Sequence, residues 1–182
     1  LNRLEAGESL DGLKGVIWRD SKGNNHFSGE ATPLQDFDSI PIADRDLLDN
    51  NAYLLGTLHG RNPFTLIQTT RGCPWKCIFC ASDQLNTTKI RMRSPISVAD
   101  EMEHVVQSYG IRHFMIVDDV LTLYSDHISS ICDEILKRNL KITFEGSTRA
   151  NLINENLAKH LKEAGLIRLS FGLESADEAI RK

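Results

Sequence analysis

Three cysteines that fall within eight residues are the part of this sequence best suited to chemistry. They are Cys73, Cys77 and Cys80, in the spacing C-x3-C-x2-C. A single short loop with this spacing can wrap a compact soft-metal group with three thiolates. The fourth cysteine, Cys132, stands at helical spacing from Ile128, which predicts a small core residue. The triplet therefore predicts metal or iron–sulfur ligation in a reducing compartment.

Three thiolates leave one ligand position open. A structural zinc ion takes four protein ligands, and the fourth would have to be Cys132, His104 or His113. A cubane 4Fe–4S cluster with one open iron fits three cysteines better, because the open iron can bind a substrate or a second cofactor. A zinc-stabilised binding module without catalysis, an iron–sulfur protein used only for electron transfer, and free thiols stay open as alternatives.

Composition narrows the class of protein. The 182 residues are 41% hydrophobic and 25% charged, which is typical of a soluble globular protein, and the net charge of −4 does not favour nucleic acid as a partner. No apolar run approaches the ~20 residues of a membrane span, and no secretory leader is visible, so we expect a cytoplasmic protein. The sequence begins at Leu1 and ends in a helix-like segment, which predicts a fragment of a longer protein.

Strands and helices alternate from residue 61 onward. Apolar and β-branched runs predict strands that begin near residues 65, 113, 141 and 166. Ser97, Ser125 and Asn154 are the predicted N-caps of the intervening helices, and Gly165 is the predicted stop of the third. The predicted inward faces are Val98, Met102, Val105 and Tyr109, then Ile128, Ile131, Ile135 and Leu136, then Leu157 and Leu161. This order predicts an α/β fold with a parallel sheet.

The cysteine loop directly follows the first predicted strand. Ligands in parallel α/β folds bind at the carboxyl ends of the strands, so the fold places the thiols where such proteins do chemistry. Residues 1–60 lack a long periodic pattern. Turn-forming residues at 20–25 lie between two short apolar runs and predict a hairpin. We therefore predict a linker and hairpin over 1–60, with His26 and His59 as solvated loop histidines, and the βα region over 61–182.

The cysteine motif, with Phe79 in C-x3-C-x-(aromatic)-C, resembles the signature of the radical S-adenosylmethionine (SAM) superfamily. The resemblance implies a partial (βα)6 TIM-like barrel with four of its six strands present. It also implies a 4Fe–4S cluster on Cys73, Cys77 and Cys80 whose open iron is chelated by SAM. In that family an electron from the reduced cluster cleaves SAM to a 5′-deoxyadenosyl radical, so the cofactors carry the chemistry.

Two further segments extend the resemblance. Asp118 and Asp119 resemble the Asp-Asp-x-Phe/Leu segment of members that carry an N-terminal cobalamin-binding domain. Many other members have a Gly-Gly-Glu run there that contacts the SAM amino group, and the resemblance passes this role to Asp118 or Asp119. Arg149 matches the family's Thr-Arg segment, which implies a fork to the SAM carboxylate, with Glu145 beside it.

The end of the fourth strand also matches. Residues 169–175 resemble a Gly-x-Glu-Ser segment, which implies that Ser170 and Glu174 face SAM. Residues 36–41 resemble the linker after the cobalamin domain in the same subfamily. Since no cobalamin-ligating Asp-x-His-x-x-Gly motif occurs in the sequence, the implied cobalamin domain precedes Leu1.

The subfamily resemblance carries expectations about the reaction. It implies methyl transfer, C–H functionalisation or ring formation on a small-molecule substrate. It also implies an electron donor such as flavodoxin or ferredoxin. The isolated chain is expected to bind a cluster but to turn over little.

Overall fold

The computed structural model describes residues 2–52 and 63–181, so His59 lies outside the described residues. The chain divides into two compact units, residues 1–35 and residues 36–182. The boundary that the sequence predicts near residue 60 stays a prediction, and the contacts place residues 36–52 with the second unit.

The first unit contains a short helix, α1 (Asn2–Glu5), and an antiparallel hairpin of β1 (Ile17–Arg19) and β2 (Asn25–Phe27). Asp20 closes the hairpin turn, because its Oδ1 accepts hydrogen bonds from the N–H groups of Lys22 and Asn24, both at 2.9 Å. Its Oδ2 lies 2.9 Å from His26 Nε2. These hydrogen bonds, led by the one from His26, hold the pKa of Asp20 well below its usual range.

His26 is exposed to solvent, as predicted, but it does not lie in a loop. It lies within β2 and its ring stacks on Trp18 of β1, with the ring centroids 5.2 Å apart. The predicted hairpin is therefore confirmed, and His26 belongs to its cross-strand contacts.

The second unit is built on four parallel strands in the order β3-β6-β7-β8, which confirms the predicted α/β class. Its elements are β3 (Phe64–Ile67), β4 (Thr70–Arg71), α2 (Ser82–Leu85), β5 (Arg91–Met92), α3 (Pro95–Tyr109), β6 (His113–Ile116), α4 (Ser125–Lys137), β7 (Thr143–Thr148), α5 (Glu155–Ala164), β8 (Leu166–Phe171) and α6 (Glu178–Arg181). Short 3-10 turns span Arg45–Leu47, Asn50–Ala52 and Ala150–Leu152. None of the helices in the described ranges is long and apolar enough to cross a membrane.

One face of the sheet packs against α3, α4 and α5. Phe114 and Phe144 project from neighbouring strands into this layer and are fully buried. The inward residues of the helices close over them: Val98, Met102, Val105, Ile128, Ile131, Cys132, Ile135, Leu157 and Leu161. Burying each large apolar side chain contributes about 1.5–3 kcal/mol, so this layer carries most of the fold's stability. The core position of Cys132 is as predicted.

Two of the three predicted N-cap residues, Ser97 and Ser125, are not the N-caps of their helices. The side chain of Asn154 accepts from Leu157 N–H, as predicted. Helix α3, however, is capped by Ser94, because Pro95 is suited to the first helical position, and Ser97 N–H is the donor to the Ser94 hydroxyl. Ser125 is the first residue of α4 rather than its cap.

Two other details differ from prediction. Leu136 was expected to face the core but is 42% exposed, and Cys132 completes the α4 face in its place. The strand predicted to begin near residue 65 ends at Ile67, and Thr70 and Arg71 form the separate strand β4, which pairs antiparallel with β5. This β4–β5 ribbon forms the base of the cysteine loop.

A buried charge cluster fastens residues 36–52 to the sheet. The guanidinium of Arg45 lies 2.6 Å from Glu101 of α3 and also donates to Thr65 Oγ1 and Leu66 O of β3. Arg93 pairs with the other oxygen of Glu101. The Glu101 carboxylate of α3 thus binds two segments at once: residues 36–52, through Arg45, and the residues that follow β5, through Arg93.

Candidate functional site

The face of the sheet opposite the helices presents two rows of side chains. Because alternate residues of a strand point to opposite faces, Glu145 and Ser147 of β7 share this face with Arg168 and Ser170 of β8. The strand register places Glu145 opposite Arg168 and Ser147 opposite Ser170. Polar side chains are therefore gathered near the carboxyl edge of the sheet.

These rows border a cavity of about 280 Å³. Its walls include Met115 and Val117 from β6 and the residues after it, Glu145 and Ser147 from β7, and Arg168 and Ser170 from β8. Two of the predicted cofactor residues, Glu145 and Ser170, thus share one cavity.

Glu145 is a buried acidic residue of this cavity, with 4% of its surface exposed. Its Oε2 lies 3.6 Å from Arg168 Nη1, an ion pair across the β7–β8 register. Among the described residues Oε2 receives no hydrogen bond. The carboxylate therefore has a buried oxygen with unused acceptor capacity at the cavity wall.

The two ends of the cysteine loop lie close together at the β4–β5 ribbon. This narrow part of the loop, residues 70–72 and 89–92, is called the neck here. Thr70 and Arg71 pair with Met92 and Arg91 across the β4–β5 ribbon. Gly72 follows with φ at +113°, and a Cβ there would lie 2.5 Å from Lys89 O, so only glycine fits between the two sides of the neck.

Asp118 fixes the start of this neck. Its carboxylate accepts from the N–H groups of Thr69 and Thr70 at 2.7 and 3.0 Å, and also from both hydroxyls. Burial raises the pKa of Asp118 and outweighs these hydrogen bonds, which act in the opposite direction. Asp118 lies at the cavity wall, yet its oxygens are occupied by the exit of β3, so the structure gives it a scaffold contact.

Asp119 contacts the other end of the cysteine loop. Its Oδ1 accepts from the hydroxyl of Ser82 at 2.8 Å, and Asn86 Nδ2 lies 3.2 Å from its Oδ2. Ser82 opens α2, two residues after the last cysteine of the triplet. The two aspartates of the pair therefore hold the loop at its two sides.

The four cysteines are all free thiols. Cys73 and Cys77 are half-buried, Cys80 is exposed and Cys132 is fully buried. Burial raises the pKa of the Cys73 thiol, with a smaller contribution from the charge of Asp119, and it raises the pKa of Cys132 to about 12. Cys132 is thus a protonated core thiol, and the loop carries the three available sulfur ligands.

The donor set fits an iron–sulfur cluster. Three thiols lie on one loop at the carboxyl edge of the sheet, and soft sulfur ligands suit iron–sulfur chemistry. Among residues 2–52 and 63–181, no three His, Cys, Asp or Glu side chains converge on a point that would suit one metal ion.

Arg149 reaches from the end of β7 to this loop. Its Nη1 lies 3.7 Å from Cys77 Sγ, and its guanidinium carbon lies 4.5 Å from the centre of the Trp75 ring. Trp75 is a half-buried residue of this loop, and Arg149 is its contact across the site.

The other predicted residues lie at the periphery. Phe79, in the cysteine loop, is 67% exposed. Glu174 is exposed beyond β8, with φ at +63°, and its carboxylate folds back over Gly172, where a Cβ would lie 2.5 Å from Oε1. The structure thus brings Arg149 to the cysteines and Glu145 and Ser170 to the cavity, whereas Phe79 and Glu174 remain at the surface.

Sequence reasoning missed Ser147 and Arg168. Both follow from strand alternation, because they lie two residues from Glu145 and Ser170 respectively. It also missed the Arg45–Glu101–Arg93 cluster, whose members are far apart in sequence and carry no local signal.

Fold and site together define a parallel βα protein with a three-cysteine loop after the first strand of its sheet. The sequence profile described as the Radical SAM superfamily matches residues 67–182. The chain therefore belongs to the radical SAM superfamily.

Relatives in this superfamily are longer than this chain. The "Uncharacterized methyltransferase PH0819" of Pyrococcus horikoshii is 32% identical, over 99% of this chain and 38% of the relative. The "Anaerobic magnesium-protoporphyrin IX monomethyl ester cyclase" of Rubrivivax gelatinosus is 30% identical, over 90% of this chain and 29% of its own length. The chain thus spans less than two fifths of the curated relatives that it matches here.

A solved structure shares the fold. It is that of the radical S-adenosylmethionine methyltransferase TsrM from Kitasatospora setae, with cobalamin and a [4Fe-4S] cluster bound. The TM-score is 0.72 at 18% identity, over 98% of this chain and 36% of that one. The likeness confirms the predicted barrel-type fold and includes the hairpin unit in the matched length.

Proposed function

We propose that this chain holds a 4Fe–4S cluster on Cys73, Cys77 and Cys80 and binds SAM at its open iron. One observation carries the proposal: three free thiols lie on the loop after the first parallel strand, where Arg149 from β7 contacts the middle cysteine. The cluster and SAM together would supply the 5′-deoxyadenosyl radical chemistry of the superfamily.

The residues at the cysteine loop and at the cavity have distinct proposed roles. Arg149 can hold the SAM carboxylate, since its planar fork carries N–H donors beyond the one that faces Cys77. Ser170 and Ser147 offer hydroxyls to the ribose or methionine part. They lie opposite each other in the β7–β8 register, and both line the cavity. Glu145 accepts a hydrogen bond from a group deeper in the cavity.

The paired aspartates mainly hold the cysteine loop in this proposal. Asp118 holds the exit of β3 and Asp119 holds α2, so both fix the two sides of the cysteine loop. The role implied for them by resemblance, a contact with the SAM amino group, is left to the exposed part of Asp119. Such preorganisation matters because a loosely held loop would lose ordering entropy when it takes up the cluster.

The complete protein is proposed to be a cobalamin-associated methyltransferase or cyclase. The named activities of the relatives, methyl transfer and ring closure, support this class. A small-molecule substrate and a one-electron donor such as flavodoxin or ferredoxin complete the proposal. Phe79 and the exposed side of the loop are proposed to shield the cluster once the rest of the protein is present.

Anaerobic reconstitution with iron and sulfide tests the cluster. The wild-type chain should show the absorbance and reduced-state EPR signal of a 4Fe–4S cluster, with about four irons and four sulfides per chain. Cys77→Ala should abolish both signals. Cys132→Ala is the matched control and should retain them, because Cys132 lies in the core.

The same samples separate the alternatives. One zinc per chain and no sulfide would support the zinc-stabilised module and contradict the proposal. A cluster whose EPR spectrum does not change when SAM is added would indicate an electron-transfer role. A full-length protein with the cluster that forms no 5′-deoxyadenosine would lead to the same conclusion.

A further inference from the structure

Arg149 is held in place on both sides of its own backbone. The preceding residue, Thr148, is buried, and its hydroxyl lies 2.5 Å from that of Thr122. On the other side Arg149 O accepts from Leu152 N–H, at the start of a 3-10 turn. The exposed guanidinium therefore extends from a fixed point at the carboxyl end of β7.

Two independent contacts direct that guanidinium to the cysteine loop. One is the approach of Nη1 to Cys77 Sγ at 3.7 Å, and the other is the stacking of the guanidinium over Trp75 at 4.5 Å. A planar guanidinium can stack and donate at the same time, whereas the compact ammonium of lysine cannot do both. Trp75, two residues before Cys77, thus braces the donor that faces the sulfur.

Charge next to a cluster ligand affects the reduction potential. When a one-electron donor of low potential reduces the cluster from the 2+ to the 1+ state, the group formed with its thiolates gains one negative charge. A cation beside a ligand sulfur stabilises the more negative state, and a hydrogen bond to that sulfur acts in the same direction. Hydrogen bonds around ligand sulfurs are a general means of tuning potential.

We propose that Arg149, braced by Trp75, donates a hydrogen bond to the Cys77 thiolate and raises the reduction potential of the cluster. The inference rests on the proposed function, because it requires a cluster on Cys73, Cys77 and Cys80. It goes further by giving Arg149 a role before SAM binds, with Trp75 as its positioning residue.

The experiment is an EPR-monitored redox titration of the reconstituted chain without SAM. Arg149→Gln should lower the midpoint potential by the equivalent of a tenfold change in the reduction equilibrium, which is about 59 mV for one electron. Arg149→Lys should lower it by less, because charge is kept while the stacked fork is lost. Trp75→Leu should fall between wild type and Arg149→Gln.

Arg112→Gln is the matched control. Arg112 is an exposed arginine that donates to Lys141 O, next to the amino end of β6 and away from the thiols. Its replacement should leave the potential unchanged. The titration follows the ratio of reduced to oxidised cluster, so a variant that takes up less cluster still yields a potential.

The outcomes separate the inference from the function on which it rests. If wild type forms no cluster, the proposed function fails. If wild type forms the cluster and Arg149→Gln has the wild-type potential without SAM, the inference is overturned. A change that occurs only after SAM is added would also overturn it and would leave Arg149 as a carboxylate-binding residue alone.

Discussion

The carboxylate of Asp118 accepts two hydrogen bonds from Thr69, one from its N–H at 2.7 Å and one from its hydroxyl. The two residues are 49 positions apart, and their contact joins the carboxyl ends of adjacent strands. The same carboxylate accepts from Thr70 as well. The chain therefore enters the cysteine loop from a fixed point.

Removal of this acceptor should destabilise the second unit. Asp118→Ala leaves two buried N–H groups and two hydroxyls without their partner, which should lower the free energy of unfolding by roughly 2–4 kcal/mol. Urea unfolding followed by circular dichroism measures the change. Asp119→Ala is the matched control and should cost less than about 1 kcal/mol, because Asp119 is only half-buried. Equal costs for both variants would contradict this assignment.

The neck of the loop should not tolerate a side chain at Gly72. Gly72→Ala combines a positive φ with a Cβ 2.5 Å from a carbonyl oxygen, so the neck must open. We expect several-fold less iron and sulfide per chain after reconstitution. Gly110→Ala is the control, since Gly110 also has a positive φ but no atom near its Cβ. It should cost about 1–2 kcal/mol of stability and retain the cluster.

Glu101 should be the most sensitive charged residue outside the site. Glu101→Ala leaves Arg45 and Arg93 buried without their shared carboxylate, and breaking a buried ion pair in this way costs about 3–5 kcal/mol. Hydrogen exchange should also rise in residues 36–50, which Arg45 fastens to β3. Glu134→Ala removes surface ion pairs of α4 and should lower the free energy of unfolding far less than Glu101→Ala does. Unchanged exchange in residues 36–50 of the Glu101 variant would show that Arg45 does not hold this segment.

Asp38 should make stability depend on acid pH. Its carboxylate accepts from Ser94 N–H at 2.9 Å, at the start of α3. Burial raises its pKa, but the hydrogen bonds from Ser94 prevail and the net pKa is below 3.8. A lowered folded-state pKa means that the stabilisation is present above the unfolded value and is lost as pH falls through the folded value. Asp38→Asn should therefore lose less stability than wild type between pH 5 and pH 2.5 in urea unfolding, and an identical loss would contradict this.

The sequence by itself determined the order of elements and the nature of the donor set. Apolar periodicity is local, so it predicted the four parallel strands, the inward faces of α3 and α5, and the buried Cys132. The spacing of the three cysteines is also local, and it predicted one loop with three sulfur ligands. Cap positions were less exact, because Ser94 with Pro95 competes with Ser97 over only three residues.

Only the tertiary structure decided what the polar residues contact. Asp118 and Asp119 are adjacent in sequence at the exit of β6, yet one holds the end of β3 and the other holds α2. Arg149 meets Cys77 across 72 positions, and Glu101 gathers two arginines from separate segments. Such contacts arise from the packing of strand ends and helices, and long-range packing leaves no periodic trace in a single sequence.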